Sequence, residues 1–475
     1  MPTSMDAIAA LLDEAAPILG DNGLISEPAA VEPWLSDWRG RAPGAARAIL
    51  APQSTAQLAT IVALAAEHAV PLVPQGGNTG MVAGATPPPD GSALILSLRR
   101  MNAIRRIDPA ARIGVAEAGV VLETLHAAVA EESLRFPLTI GARGSCTIGG
   151  LASTNAGGTQ VLRFGMMRAL IAGVEAVLPD GSIHDGLGGL KKDNRGYSLD
   201  QLLIGAEGTL GVITAVALRL VPAVAERCVA WAGTDSPGSA LRLLRFLESR
   251  TAAVEGFELI PGDSLELVLR HIPGTRDPLG GKHRWHVLVE STSTIAGTGL
   301  AEEIQSYLGE AMEEGLVTDA AIASSEAQAD AFWKLRDSIS EAERSEGPTL
   351  AHDISVAVDS MPGFIESASR EVEQAFPGTV ASAFGHLGDG NVHFHVRAGT
   401  RAGDTFYEGD GPAITRLVDD LVTATGGSIS AEHGIGQLKR DEFARLAPPG
   451  RIAALRAIKQ ALDPLGIMNP GKLIP

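Results

Sequence analysis

The chain has 475 residues, more than one hydrophobic core usually serves, so two or more lobes are expected. Hydrophobic residues make up 45% and charged residues 20%, a globular profile, and a formal net charge of -18 argues against a broad phosphate-binding face and hence against a nucleic-acid partner. Two cysteines, Cys146 and Cys228, make neither a disulfide framework nor a thiolate metal site, which suits a reducing, cytoplasmic setting.

The N-terminal stretch carries Asp6, Asp13 and Glu14 without a basic leader and reads as a surface helix. No segment approaches the ~20 apolar residues that span a bilayer, so an integral membrane protein is not expected. Ser54 to Ala69 is predicted as a helix, opened by the capping box Ser54/Gln57, with Leu58, Ile61, Val62 and Ala65 on one face. Val70 to Pro74 is a short strand running into a glycine-rich turn, Gln75 to Gly84. Ala93 to Leu98 and Ile113 to Ala118 read as strands and Val120 to Glu132 as a helix. Ile171 to Leu178 turns through Pro179-Asp180-Gly181-Ser182 into a hairpin, and Leu210 to Val221 is a further strand, ended by Pro222.

Past Pro222 the glycine clusters thin and amphipathic helices alternate with strands. Helices are expected over Gly238 to Ser249, Leu300 to Gly309, Ser325 to Glu343, Pro362 to Ala375 and Ile414 to Thr425, and strands over His286 to Glu290, His352 to Val358 and Asn391 to Val396. The boundary between lobes is placed near 222. The second lobe is expected to be an antiparallel sheet backed by helices.

Three glycine-rich segments stand out: Pro74-Gln75-Gly76-Gly77-Asn78-Thr79-Gly80, the run from Gly141 to Gly158, and Gly205 to Ile213. Neither the Rossmann spacing nor the Walker spacing occurs. Consecutive glycines let backbone amides approach a pyrophosphate; each turn alone is more often a plain loop. Small residues dominate 18 consecutive positions from 141 to 158, which a packed helix is not expected to tolerate, so an extended ligand along the backbone is the natural reading.

Two further motifs carry side chains with chemistry: Gly385-His386-Leu387-Gly388-Asp389-Gly390-Asn391-Val392-His393-Phe394-His395 and Ser430-Ala431-Glu432-His433-Gly434-Ile435-Gly436. His393 and His395 share one face of a strand. Imidazoles with a carboxylate suit a divalent metal such as zinc with open positions. Arg336, on a predicted helix one turn before Ser340, reads from composition alone as a solvated arginine.

Together the glycine segments resemble the FAD-binding half of the vanillyl-alcohol oxidase and p-cresol methylhydroxylase superfamily, and within it the D-2-hydroxyglutarate and D-lactate dehydrogenases. The resemblance implies an α+β, two-lobed fold: an FAD domain over 1–222, a substrate or cap domain over 223–430 with an antiparallel sheet and helices, and a segment over 431–475 returning to the FAD domain. It implies cofactor contacts from Pro74, Gly76, Gly77, Asn78, Thr79, Gly80 and Met81. The second segment would contribute Gly144, Ser145, Gly149, Gly150, Thr154, Asn155, Gly157 and Gly158. Glu207, Gly208, Gly211, Ile213 and, from the C-terminal Asn469-Pro470-Gly471-Lys472, Asn469 complete the set. Members that link FAD covalently use histidine where this chain has Asn78, so non-covalent FAD is implied, with Cys146 a small buried wall residue.

The same resemblance assigns metal ligation to His386, His393 and Glu432, proton abstraction to His433, and carboxylate binding to Arg336 and Ser340, with His395 beside the substrate. Relatives carry asparagine at the His395 position and lysine where this chain has Ala351, so a monocarboxylic D-2-hydroxy acid such as D-lactate is expected over D-2-hydroxyglutarate. The implied reaction is oxidation of a D-2-hydroxy acid to the 2-oxo acid, with electrons leaving to an electron-transfer flavoprotein, a quinone or a cytochrome; a homodimer is the candidate assembly. The alternatives are a zinc-dependent hydrolase built on the histidine and glutamate cluster, and a flavin-binding protein without turnover.

Overall fold

The computed structural model describes residues 5–401 and 405–475. They divide into two compact units: Met1–Gly158 with Phe164–Ala223 and Glu432–Pro475, and Thr159–Arg163 with Val224–Ala431. Among the described residues, no helix is long and apolar enough to cross a membrane.

The first unit is built on two main sheets. Strands Leu24–Ile25, Ile49–Leu50, Leu94–Ser97 and Leu72–Gln75 form one, parallel across its last three members. The helices Met5–Leu19 and Thr55–Glu67 cover it, burying Ile8, Leu11, Leu58 and Ile61 against Leu50, Leu72 and Leu94. Ser54 caps the second helix by accepting from Gln57 N, while Gln57 Oε1 accepts from Gln53 N, one residue earlier than a strict capping box places it. The other sheet is antiparallel, in the order Ile104–Asp108, Ile113–Glu117, Val212–Arg219, Ile171–Val177, Ile183–Asp185. Its hairpin closes on the Pro179–Ser182 turn, where Gly181 takes φ 84° and Asp180 Oδ1 accepts from Ser182 N.

The second unit is one seven-stranded antiparallel sheet, ordered Asp319–Ile322, Glu226–Thr234, Trp285–Ser293, Val254–Pro261, Val380–His386, Asn391–Arg397, Thr349–Ser355. On one face Trp231, Leu288, Ile260 and Phe384 pack against helices Gly262–His271, Glu326–Asp337 and Ile339–Ser345. The opposite face meets Met361–Ala375, where Phe364 packs edge-on against Phe394. This is the α+β architecture expected, although strands 226–234, 254–261 and 380–386 had no separate signal in the sequence.

Three expectations are corrected. The small-residue run does contain a helix, Ile148–Thr154. It forms because the absence of a Cβ at Gly149 lets it lie directly on Ala118. The helix expected over 325–343 is two helices, parted at Ser338, whose ψ of -3° departs from the helical value. The strand expected over 352–358 runs instead from Thr349 to Ser355, where its partner Asn391–Arg397 ends.

Candidate functional site

In the first unit the three glycine segments wall one cavity of about 840 Å³. Strand Leu72–Gln75 delivers Pro74 to Met81 to its rim, and the turn before strand Val212–Arg219 delivers Glu207, Gly208 and Gly211. Two close approaches explain the glycines. A Cβ at Gly77 would overlap the Ser145 carbonyl oxygen, so the first and second segments touch backbone to backbone. At Gly149 it would meet Ala118 Cβ at 2.5 Å. Such surfaces are open to a flat, extended ligand, which is what FAD requires; the cradle fits the cofactor.

Of the residues assigned to the cofactor, Pro74, Gly76, Gly77, Asn78, Thr79, Gly80, Met81, Ser145, Gly149, Gly150, Thr154, Gly157, Glu207, Gly208, Gly211 and Ile213 line the cavity, as does Cys146. Gly144, Asn155, Gly158 and Asn469 lie outside the lining. Asn469 instead braces two segments, donating from Nδ2 to Gly84 O at 2.9 Å and Glu207 O at 2.6 Å. Asn155 takes φ 50° and accepts from Arg168 N through Oδ1. Burial pushes the Cys146 thiol up to about 11, so it is an inert wall group.

Glu432 and His433 belong to this first unit and reach the same cavity. Glu207 holds their segment. Its two carboxylate oxygens accept from Ile435 N and Gly436 N, each at 2.8 Å, and burial raises its pKa against those bonds. Behind it, Lys459 Nζ donates to Thr209 O and Met468 O, tying the C-terminal helix to the third glycine segment. Sequence reasoning missed this clamp, since a lone glutamate in a glycine turn gives no signal of its distant partners.

The second unit gathers Arg336, His386 and His393. Strand pairing sets Glu258 beside His386 and Phe384 beside His393, all on the helix-covered face. Glu258 is 1% exposed; its Oε2 accepts from Arg336 Nε at 2.8 Å and its Oε1 from His386 Nδ1 at 2.5 Å. Arg336 Nη2 then lies 3.5 Å from His386 Nε2 and 3.4 Å from His393 Nε2. Burial opposes ionisation of Glu258, but Arg336 and His386 outweigh it and hold the carboxyl well below the usual range. Burial, then Arg336 and His386, push His393 well below the usual histidine range. The Nε2 atoms of His386 and His393 therefore face one point, the arrangement of a pair of metal donors, and Arg336 Nη2 stands at that point here. Among the described residues, however, no three His, Cys, Asp or Glu side chains are grouped as a metal-ligand set.

His395 packs edge-on against the Phe384 ring, 4.9 Å between centroids, and its Nδ1 lies 2.5 Å from Glu343 Oε2. Ser340 is half-buried on the helix that follows Arg336. Glu258 and Glu343 were not singled out from the sequence. For Glu258 the signal available was a carboxylate between Phe257 and Leu259 in Val254–Pro261, where every residue is buried; Glu343, between Ala342 and Arg344, gives no such signal.

Residues 224–473 match the family described as FAD linked oxidases, C-terminal domain, and residues 46–186 match the FAD binding domain. The chain is 37% identical over 453 residues to D-2-hydroxyglutarate dehydrogenase, mitochondrial, of Bos taurus, covering 95% of this chain and 81% of that one. The chain belongs to the FAD-linked D-2-hydroxyglutarate dehydrogenase family. With the Arabidopsis thaliana protein of the same description the identity is 34% over 461 residues, covering 96% and 80%. The fold is shared with p-cresol methylhydroxylase, at a TM-score of 0.76 and 15% identity, over 99% of this chain and 97% of that chain. It is thus an FAD-linked oxidoreductase, and the hydrolase and inert-binder alternatives fall away.

Proposed function

We propose that the protein oxidises a D-2-hydroxy acid to the corresponding 2-oxo acid. The observation that carries this reading is the glycine-walled cavity with His433 and Glu432 on its wall. When bound, FAD supplies the acceptor for the hydride from C2. It is held without a covalent link, because Asn78 stands where linked members have histidine.

The residues divide the remaining work. His433 takes the proton of the C2 hydroxyl, as a general base with a suitable pKa can. Arg336 pairs with the substrate carboxylate, its planar guanidinium matching two oxygens at once. His386 and His393 are the residues of the second unit that would donate to a divalent metal such as zinc, which would supply Lewis-acid polarisation of the hydroxyl. Electrons leave the reduced protein to a second acceptor, an electron-transfer flavoprotein, a quinone or a cytochrome.

The test is anaerobic mixing of the yellow protein with a panel of D-2-hydroxy acids. Loss of flavin colour with a D acid, and not with its L enantiomer, is expected. Colour that survives every member of the panel overturns the reading.

A further inference from the structure

We infer that Glu258 is the positioning residue of the second unit, a single buried carboxylate that sets both the arginine assigned to the substrate and a histidine assigned to the metal. The inference rests on the roles proposed above for Arg336 and His386; the geometry behind it does not. One oxygen of Glu258 accepts from Arg336 Nε and the other from His386 Nδ1. An ionised carboxylate only accepts hydrogen bonds. The imidazole proton is therefore fixed on Nδ1 of His386, and its lone pair on Nε2, where a metal would need it. The same contact fixes the guanidinium plane by its Nε edge and so sets Nη2 between His386 Nε2 and His393 Nε2. Because the two partners share one rigid three-atom group, neither can turn without the other. Strand pairing sets the Glu258 and His386 backbones directly opposite each other, so the contact spans neighbouring strands.

Glutamine at 258 has the same shape but one acceptor oxygen and one donor nitrogen, so it cannot serve two N–H donors. The experiment compares the FAD-loaded native protein with Glu258→Gln and Glu258→Asp. It reads histidine tautomers by nitrogen NMR, zinc affinity by competition with a chromophoric chelator, and KM against kcat for anaerobic flavin reduction by D-lactate. The glutamine variant is expected to keep its FAD, since Glu258 is not among the residues walling the cofactor cavity. It is expected to lose the fixed Nδ1–H tautomer of His386, to bind zinc about 10- to 100-fold more weakly, and to raise KM more than it lowers kcat. Native tautomer and native zinc affinity in a folded glutamine variant would overturn the inference. Should that variant not fold, the aspartate variant, one methylene shorter, reads the same two quantities, and native values of both overturn it equally. A native protein that no D-2-hydroxy acid reduces would instead sink the proposed function, while the NMR measurement would still decide the role of Glu258.

Discussion

Gly149 N donates to Ala118 O at 2.8 Å, and this contact decides how closely the second glycine segment can approach its sheet. A methyl at position 149 would lie 2.5 Å from Ala118 Cβ and 3.0 Å from Ala118 Cα. Alanine in a helix ordinarily gains about 1 kcal/mol over glycine. Overpacking here costs about 1–3 kcal/mol, so the sign reverses. Gly149→Ala is expected to lower the denaturation midpoint and the flavin-to-protein ratio together. A variant with native midpoint and full flavin content would show that the close approach is unimportant.

How much of this was legible depends on how local each cause is. Ser54 capping Gln57 and the Asp180–Gly181 turn involve residues three or fewer apart, and both could be read directly. The helix over 148–154 could not, because what permits it is Ala118, thirty residues away in the chain. Glu258 is legible only as an oddity in an apolar strand, since its partners Arg336 and His386 arrive from other elements. Asn469 was read as a cofactor contact on resemblance alone, and its Nδ2 donates to Gly84 O and Glu207 O, partners no local pattern announces.

Asn78 sits at φ 53° and donates through Nδ2 to Ser36 O at 2.8 Å, so its side chain is engaged with the protein. An amide also offers no nucleophile for a flavin link. Acid precipitation of the native protein is expected to leave the yellow colour in the supernatant. Colour that stays with the pellet after washing would mean a covalent bond and would refute the assignment.

His433 lies on the cavity wall in a segment anchored by Glu207, so its removal can be separated from loss of the cofactor. His433→Ala is expected to keep FAD and to slow its reduction about 10²- to 10⁴-fold, the usual worth of a general base. Stopped-flow absorbance under anaerobic conditions measures the rate. An unchanged rate would remove His433 from the reaction.

Lys472 is 3% exposed, and burial together with Arg440 brings its pKa from 10.5 down to about 8. Between those two values the unfolded chain binds more protons than the folded one, so this lysine makes stability rise with pH over that window. Below about 8 the folded protein carries the full burden of a buried charge, on the order of 3 kcal/mol. Lys472→Met is expected to be more stable relative to the native protein at pH 7 than at pH 10. Urea denaturation of both proteins at both pH values gives the comparison, and a difference independent of pH would contradict it.

The last prediction concerns which D-2-hydroxy acid is preferred. Ala351 faces His395 across the sheet and supplies no positive charge, and Arg397, two residues beyond His395 on the same strand, pairs with Asp263. His395 could replace a missing lysine only if it carried uncompensated charge. Its Nδ1 lies 2.5 Å from Glu343 Oε2, and Glu343 is fully buried. A carboxylate at that distance already engages the imidazole. A second substrate carboxylate brought here would lose water without gaining a cation. One charge-assisted hydrogen bond is worth about 1.5–3 kcal/mol, roughly ten- to a hundredfold in affinity. Values of kcat/KM are therefore expected to favour D-lactate and D-2-hydroxybutyrate over D-malate and D-2-hydroxyglutarate. Ala351→Lys is expected to improve the dicarboxylates by about tenfold or more while leaving D-lactate nearly unchanged. Glu343→Gln offers an independent check, since removing the compensating carboxylate leaves His395 free to meet a second negative group. If the native protein prefers the dicarboxylates and neither substitution moves the ratio, charge at positions 351 and 395 does not set the choice of substrate.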